Sequence, residues 1–546
     1  MLGKEKTMAR NQVDARLLAF LRDPASYPHH PAEVCEKQTH ASHVFLVPPW
    51  VYKIKKPVDF GFLDFTTLEK RRHFCMREVE LNSRLAPGVY QGVVPVTREN
   101  EGFALGGSGP AVEYAVKMVF LEPDGFLDAR LRSGTAGEPE LECVARTLAG
   151  FYRNQPSPPE VAVWGNVAKL RISTDENFAQ TRRFIGRTIP RTAFDAIRLF
   201  TALCYERRRG LFERRVAGGW IRDCHGDLHL DHIHLSGGAP VIHDCIEFND
   251  RLRHLDVASD AAFLAMDLDH HGLPRLARFF TSRLSRLMND LEMERLLDFY
   301  QCYRAYVRGK VESLRAAGGV GAGRDDAVAN ARRYFRLALQ YAVSGCRPLA
   351  VVVMGRVATG KSTLAAALAA ALGWRLVSSD ALRKSLAGMA SHGRAEPAVR
   401  AMLYAPEMTD RTYSAMMRRV GETLRQGHGM ILDATFSKRR HRDRLRAEIG
   451  DENLLWVVTS ADDAATRRRL RMRETQGAVV SDARLEDQPL LDAGFQAPSE
   501  LPQGAVIRIS TAGKPEHTLR ALLAAMVETV VPLAMEPKAA IGRAAR

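Results

Sequence analysis

Gly355-Arg356-Val357-Ala358-Thr359-Gly360-Lys361-Ser362 fits the pattern G-x-x-x-x-G-K-[ST] at every fixed position. Both flanks agree with it. Leu349-Ala-Val-Val-Val-Met354 is a short, uninterrupted, β-branched run, as expected of a strand buried on both faces. Thr363-Leu-Ala-Ala-Ala-Leu-Ala-Ala-Ala-Leu372 is helix-forming throughout. Glycines in such a loop let backbone N–H groups turn inward around phosphate, and the helix N-terminus adds positive potential. Lys361 is placed to reach the β- and γ-phosphates of ATP, and the Ser362 hydroxyl to ligate Mg2+. Gly355 to Thr363 is therefore the expected nucleotide cradle. A chance Gly-rich turn explains neither flank.

Downstream, Trp374-Arg-Leu-Val-Ser-Ser-Asp380 reads as a second strand ending in a carboxylate, with a helix over Ala381–Ala387. An acid at a strand's C-terminal end lies on the edge where parallel sheets bind ligands. Asp380 is then a candidate base for an acceptor hydroxyl, and Arg383 a candidate holder of an anionic group. A plain helix N-cap is the other reading of Asp380. Gly429-Met-Ile-Leu-Asp433-Ala-Thr-Phe436 is another buried strand ending in an acid. Asp433 is a candidate Mg2+ ligand, direct or through water, with Thr435 and Phe436 beside the acceptor. Thr466-Arg-Arg-Arg-Leu-Arg-Met-Arg473 holds five arginines. A lid closing on ATP needs such cations; a solvated basic face is the alternative. With Leu454–Val458 and Val506–Ile509, about five strands alternate with helices, which predicts a parallel α/β sheet.

These residues resemble the P-loop kinases related to polynucleotide kinase, zeta-toxin and gluconate-kinase-like proteins, over roughly residues 348–530. The Gly355–Ser362 loop, Ser378-Ser-Asp380 with Arg383, and the Asp433 strand end carry the likeness. It implies that the loop binds ATP, that Asp380 acts as base, and that arginines within Arg467–Arg473 contact ATP phosphates.

Upstream, the chain divides near residue 345. Ala316–Arg324 is Gly-rich, and an apolar face at helical spacing follows over Asp325–Val343. The expected domains are 1–345, with a small lobe to about 121, and 346–546. Residues 1–340 carry 48 basic and 42 acidic side chains, and residues 341–546 carry 30 and 21. The shorter segment thus supplies most of the net charge of +15. Such an excess suits an anionic partner: nucleotide phosphate, nucleic acid or a membrane surface.

In the first segment, Arg222-Asp-Cys-His225-Gly226-Asp227-Leu-His229-Leu-Asp-His232-Ile-His234-Leu235 is dense in proton- and metal-binding groups. A zinc site would need His225, His229, His232 and His234 to converge, and their spacing matches no helical His-x-x-x-His site with a supporting Glu. The following residues favour a catalytic loop. Ile233–Leu235 and Pro240–Ile242 flank Ser236-Gly-Gly-Ala239, a hairpin signal that returns Asp244 toward Asp227. Asp227 can then accept a hydroxyl proton while Asp244 binds Mg2+. Further upstream, Ser42–Val47 and Trp50–Lys55 alternate like paired strands. Lys53 is the first candidate for the α/β-phosphates, Lys55 the next, and Glu78 on the helix Arg71–Leu81 the expected ion-pair partner. Ser42 is a candidate donor to phosphate. Val116–Leu121 reads as the strand entering a hinge.

This half resembles the aminoglycoside phosphotransferase family over roughly 38–310, through His225-Gly-Asp227, Met118, Glu247-Phe248-Asn249 and Asp256…Asp260. The two-part chain resembles bacterial proteins described as bifunctional aminoglycoside phosphotransferase/ATP-binding proteins. The resemblance implies an α+β bilobal protein-kinase-like domain followed by an α/β P-loop domain. It departs at His232, where kinase loops carry a metal-ligating Asn. Mg2+ prefers oxygen, so one metal ion, Mn2+, or nucleotide binding without turnover are the readings at this centre.

Eight scattered cysteines without a CxxC pair exclude a zinc ribbon and a disulfide scaffold. The charged N-terminal stretch has no apolar signal region, and no apolar run approaches bilayer length. A soluble, cytoplasmic protein without a membrane partner is expected. The expected activity is phosphotransfer from ATP to a small-molecule hydroxyl. A nucleic-acid end kinase is the alternative suggested by Lys438-Arg-Arg-His-Arg-Asp-Arg-Leu-Arg446, although aromatic interleaving for base stacking is scarce. A regulatory ATP-binding protein with an inactive first domain is the third reading.

Overall fold

The computed structural model describes residues 13–532, apart from 101, 236–237, 319–321, 391–395 and 476–484. Strands β1 (Cys35–Gln38), β2 (Ser42–Val47), β3 (Trp50–Lys55), β4 (Tyr90–Glu99), β5 (Gly102–Leu105) and β6 (Ala111–Val119) form one antiparallel sheet, ordered β1-β2-β3-β6-β4-β5. Side chains alternate across a strand, so β3 serves two faces. Tyr52 and Ile54 join Leu17, Leu21, Phe45 and Val96 in the core on one side. Lys53 and Lys55 point to the other, where the helix Leu68–Asn82 brings Cys75 against Val116.

After residue 120 the chain is mostly helical. Within it, β7 (Ile221–Asp223), β8 (Ile233–His234), β9 (Val241–Ile242) and β10 (His254–Asp256) pair antiparallel as β7 with β10 and β8 with β9. The β8–β9 hairpin is the one read from sequence; its residues 236–237 lie outside the described residues. A sheet lobe followed by a helical lobe is the α+β bilobal arrangement expected.

Strands β11 (Ala350–Met354), β12 (Arg375–Ser378), β13 (Met430–Asp433), β14 (Leu454–Ser460) and β15 (Val506–Ser510) form a wholly parallel sheet, ordered β12-β13-β11-β14-β15. Every residue of β11 is fully buried, as its β-branched composition requires. The chain leaves β11 toward β12 on one side and returns to β14 on the other. The switch point therefore falls at the C-terminal end of β11, where the Gly355–Ser362 loop begins.

By contacts the chain forms two compact units. One holds Met1–Leu170, Phe212–His271 and Leu276–Glu294; the other holds Arg171–Leu211, Gly272–Arg275 and Arg295–Arg546. The helices Arg191–Arg207, Leu297–Gly318 and Ala322–Ser344 thus lie in the unit of the parallel sheet. Arg208 grips Asp298 with two bonds of 2.6 and 2.8 Å, and Gln340 donates to the Leu372 carbonyl at 2.6 Å. Among the described residues no helix is long and apolar enough to cross a membrane.

Candidate active site

The loop after β7 is shaped by its backbone. Gly226 has φ 84°, and a Cβ there would stand 2.6 Å from the Leu252 carbonyl oxygen. The buried Asp260 carboxylate accepts the backbone N–H of His225 at 2.9 Å, that of Gly226 at 2.8 Å, and the Tyr152 hydroxyl at 2.8 Å. His225 Nδ1 accepts the Asp227 N–H at 3.3 Å, so Nε2–H donates to the His243 carbonyl at 2.9 Å. Burial lowers the His225 pKa, which keeps this ring neutral. Asp227 is held on this frame with its carboxylate one-third exposed.

Asp244 follows β9 in a left-handed conformation (φ 61°), and its N–H donates to the Tyr90 hydroxyl at 3.1 Å. Lys53 Nζ lies 2.6 Å from Asp244 Oδ1 and 2.8 Å from Glu78 Oε1. Lys55, 1% exposed, meets Glu78 Oε2 at 2.7 Å and also bonds Glu247. The two lysines therefore share Glu78, and Lys53 alone of the pair reaches Asp244 among the contacts described. Burial works against the charged form of Lys53, but Asp244, Glu78 and Glu247 outweigh it and raise its pKa. Ser42 begins β2 opposite Lys55 and is buried, its N–H tied to Thr39 Oγ1. Asp260, Lys55 and Glu247 were weakly signalled in the sequence, because nothing local distinguishes a buried charge from an exposed one.

Two of the four histidines do converge, which corrects the expectation drawn from their spacing. His229 Nε2 lies 3.5 Å from Asp227 Oδ2, and His232 Nε2 lies 3.5 Å from Asp244 Oδ2. Their ring centroids are 3.8 Å apart. His225 is committed as above, and His234 Nε2 bonds the Glu122 carbonyl at 3.0 Å. Two carboxylates and two imidazoles are a poor match for Mg2+, which demands oxygen. The residues present do not fit the metal that the kinase resemblance implies at this centre.

At the second site the parallel sheet does the positioning. A Cβ on Gly355 (φ 147°) would stand 2.6 Å from the Thr459 carbonyl oxygen. Ala358 and Gly360 take φ 59° and 83°, curling the loop. Thr359 Oγ1 donates to the Arg356 carbonyl at 2.8 Å, Thr511 Oγ1 to the Thr359 carbonyl at 2.7 Å, and Arg469 to the Ala358 carbonyl at 3.2 Å. Lys361 Nζ donates to the Arg356 carbonyl at 2.6 Å, while Ser362 and Thr363 are exposed at the helix N-terminus. Val357 is half-buried in the same loop. Asp433 ends β13 in register with Val353, and is 5% exposed. Ser362 and Asp433 offer oxygen donors and fit Mg2+. Beside the loop, Gly360, Thr363, Arg469, Met472 and Thr511 line a cavity of about 290 Å³. Of the arginines expected in a lid, Arg469 touches the loop, Arg467, Arg468 and Arg471 are exposed, and the Arg473 side chain lies outside the described residues.

The acceptor side differs in detail from the sequence reading. β12 stops at Ser378, and Asp380 stands in the first turn of the helix Ser379–Leu386, whose N-cap is Ser378. The Tyr404 hydroxyl, which sequence reasoning missed, donates to Asp380 Oδ1 at 3.4 Å. Arg383 is buried; it donates to the Leu403 carbonyl at 3.0 Å and Thr409 Oγ1 at 3.1 Å, and stacks on Tyr404. It braces the neighbouring helices rather than standing open to an anion. Phe436 is fully buried in the core against Tyr413 and Trp456, so it lines no acceptor site.

The family model described as AAA domain matches residues 351–498. A gluconokinase from Gluconobacter oxydans is 28% identical over 33% of this chain and 92% of its own. The solved GDP complex of aminoglycoside 2'-phosphotransferase-IIIa is 13% identical, covering 59% of this chain and 99% of that one, with a TM-score of 0.37. Rv2004c of Mycobacterium tuberculosis, described as an uncharacterized protein, is 33% identical over 400 residues, which are 73% of this chain and 78% of that protein. Since that identity runs through most of both sequences, the chain belongs to the family of the mycobacterial protein Rv2004c.

Proposed function

We propose that the chain is an ATP-dependent phosphotransferase with one nucleotide centre in residues 1–345 and another in 346–546, acting on a small-molecule hydroxyl. The observation that carries this reading is the second site. A phosphate-cradling loop, Asp380 and Asp433 share the C-terminal edge of one parallel sheet, beside a cavity of nucleoside size. Loop N–H groups and Lys361 hold the phosphates, and the cavity beside Arg469 takes the nucleoside. Mg2+ held by Ser362 and Asp433 supplies charge neutralisation on the phosphates when bound. The acceptor oxygen attacks the γ-phosphorus, the bond to the β–γ bridging oxygen breaks, ADP leaves, and the acceptor proton passes to Asp380, oriented by Tyr404. The gluconokinase relative makes polyhydroxy acids the first acceptors to test at this centre.

At the first centre Lys53, fixed by Glu78, would hold the α/β-phosphates and Asp227 would take the proton. The imidazole-rich donor set supports a second reading there, a regulatory nucleotide site. Nucleic acid is the less favoured partner. Within Lys438–Arg446, Arg442 is buried on Glu500, Arg446 bonds Asp451 at 2.7 Å, Arg444 bonds Glu448 at 2.8 Å, and Arg440 pairs with Asp410 at 3.1 Å. A soluble cytoplasmic protein remains part of the proposal.

Transfer of labelled phosphate from ATP to a metabolite extract tests it, using wild type, Lys361→Ala and Asp227→Ala. Lys361→Ala is expected to remove most turnover. Turnover that survives Lys361→Ala and dies with Asp227→Ala would assign the activity to the first centre. No transfer by any of the three proteins would sink the reading.

A further inference from the structure

The mismatch with Mg2+ at the first centre is specific in kind. Among the described residues, Asp227, His229 and His232 each place a donor within 4.8 Å of the others. A tetrahedral ion with bonds of about 2.0–2.1 Å keeps its donors roughly 3.3–3.4 Å apart. The Asp227–His229 and His232–Asp244 contacts, both 3.5 Å, approach that spacing. The His232 ring is also oriented as a ligand. Its Nδ1 lies 2.9 Å from the Asp227 carbonyl oxygen, which only accepts, so Nδ1 carries the proton. In the neutral ring Nε2 then turns a lone pair toward Asp244 Oδ2, whose partner oxygen Oδ1 is held by Lys53, and a cation between Nε2 and Oδ2 would serve both. Metal-bound histidines commonly donate their other N–H to a backbone carbonyl in this way. Two imidazoles with carboxylate suit borderline divalent transition metals.

We propose that Asp227, His229 and His232, with Asp244 alongside, form a binding site for a borderline divalent transition metal of the zinc and cobalt class, and that filling it switches the first centre off. Coordination commits the Asp227 oxygen that would otherwise accept the hydroxyl proton. The switch rests on the phosphotransfer reading; the metal site does not.

The test uses the full chain, stripped with chelator and free of nucleotide. Zn2+ binding is followed by equilibrium dialysis, and Co2+ by its visible spectrum. One site with nitrogen and oxygen donors is expected, giving d–d bands without thiolate charge transfer. His229→Ala and His232→Asn should each weaken it at least about tenfold. His229→Gln, checked for a native melt, replaces His229→Ala should that variant fail to fold. Unchanged affinity in the variants, or a thiolate band, overturns the site. In the Lys361→Ala background, Zn2+ should abolish Asp227-dependent turnover; turnover that continues at full occupancy overturns the switch. Zinc bound normally by a chain with no Asp227-dependent turnover leaves the site standing and sinks phosphotransfer at this centre.

Discussion

Lys53 and Lys55 sit two residues apart on one face of β3 and share Glu78, yet they do different work. Lys55 is sealed between Glu78 and Glu247, so Lys55→Met strands the buried Glu247 and leaves Glu78 with Lys53 alone. Breaking a buried pair from one side costs about 3–5 kcal/mol. Denaturant melts should show that loss for Lys55→Met and a clearly smaller one for Lys53→Met. Nucleotide binding at the first centre, read in the Lys361→Ala background, should fail in a folded Lys53→Met protein. Equal stability of the two variants would refute the distinction. Both lysines stood out in the sequence as strand residues of the same parity. Lys53 ranks ahead of Lys55 there, but the burial that separates their work was not legible, because it depends on Glu247, nearly two hundred residues away in the chain. The thiols give a second test at this scale. Burial pushes Cys75 and Cys245 up to about 12, while Cys35 and Cys143 are exposed. An aromatic disulfide reagent at pH 8 should therefore react within seconds at Cys35 and Cys143. Cys75 and Cys245 should respond only after unfolding. Fast labelling of Cys75 in the native protein would contradict its burial.

At the scale of elements, the helix Arg439–Ile449 shows how a basic run can be misread. Its charges look like a nucleic-acid surface, but the fold supplies acids to Arg440, Arg442, Arg444 and Arg446. Single-stranded oligonucleotides should consequently bind no better than to an Arg440→Glu/Arg444→Glu variant at about 0.1 M salt. A steep, salt-sensitive affinity lost in that variant would restore the end-kinase reading. Arg442→Ala should instead act on stability, by about 3–5 kcal/mol, since it leaves Glu500 buried and also frees the Phe436 carbonyl. The elements themselves were largely legible. β11, its loop and the helix Lys361–Leu372 follow from a local pattern whose physics is local: a buried strand, turned glycines and a helix start. The partners of Arg383 and Arg442 were not legible. A guanidinium on a helix reads the same whether it meets solvent, a phosphate or a carbonyl from a distant turn.

For the whole molecule, the sequence suggests one cut near residue 345, while the packing weaves the chain between units several times. The helix Pro515–Val530 shows why the difference matters. Arg520 on it pairs with Asp195 at 3.2 Å, and Arg207 and Arg208 bond the carbonyls of Val531 and Val530 at 2.6 and 3.2 Å. Cys346 Sγ lies 2.7 Å from Gln301 Oε1, and Gln340 caps the Leu372 carbonyl. Each such bond is worth about 1 kcal/mol, and the apolar faces beneath add roughly 25 cal/mol per Å² kept from water. The P-loop sheet is accordingly stabilised by helices that precede the apparent boundary. A fragment of residues 346–546 should melt well below the P-loop transition of the full chain and bind a hydrophobic dye in its native state. In the full chain, Arg208→Ala leaves Asp298 without its bidentate partner and should lower that same transition. ATP stabilises whatever it binds in proportion to occupancy, so the upward shift that Lys361→Ala removes identifies which transition belongs to the P-loop unit. A 346–546 fragment that melts with the full chain's P-loop transition, and shows the same ATP-induced shift, would mean that these helices only lean on the sheet and that the cut at 345 is the true physical border.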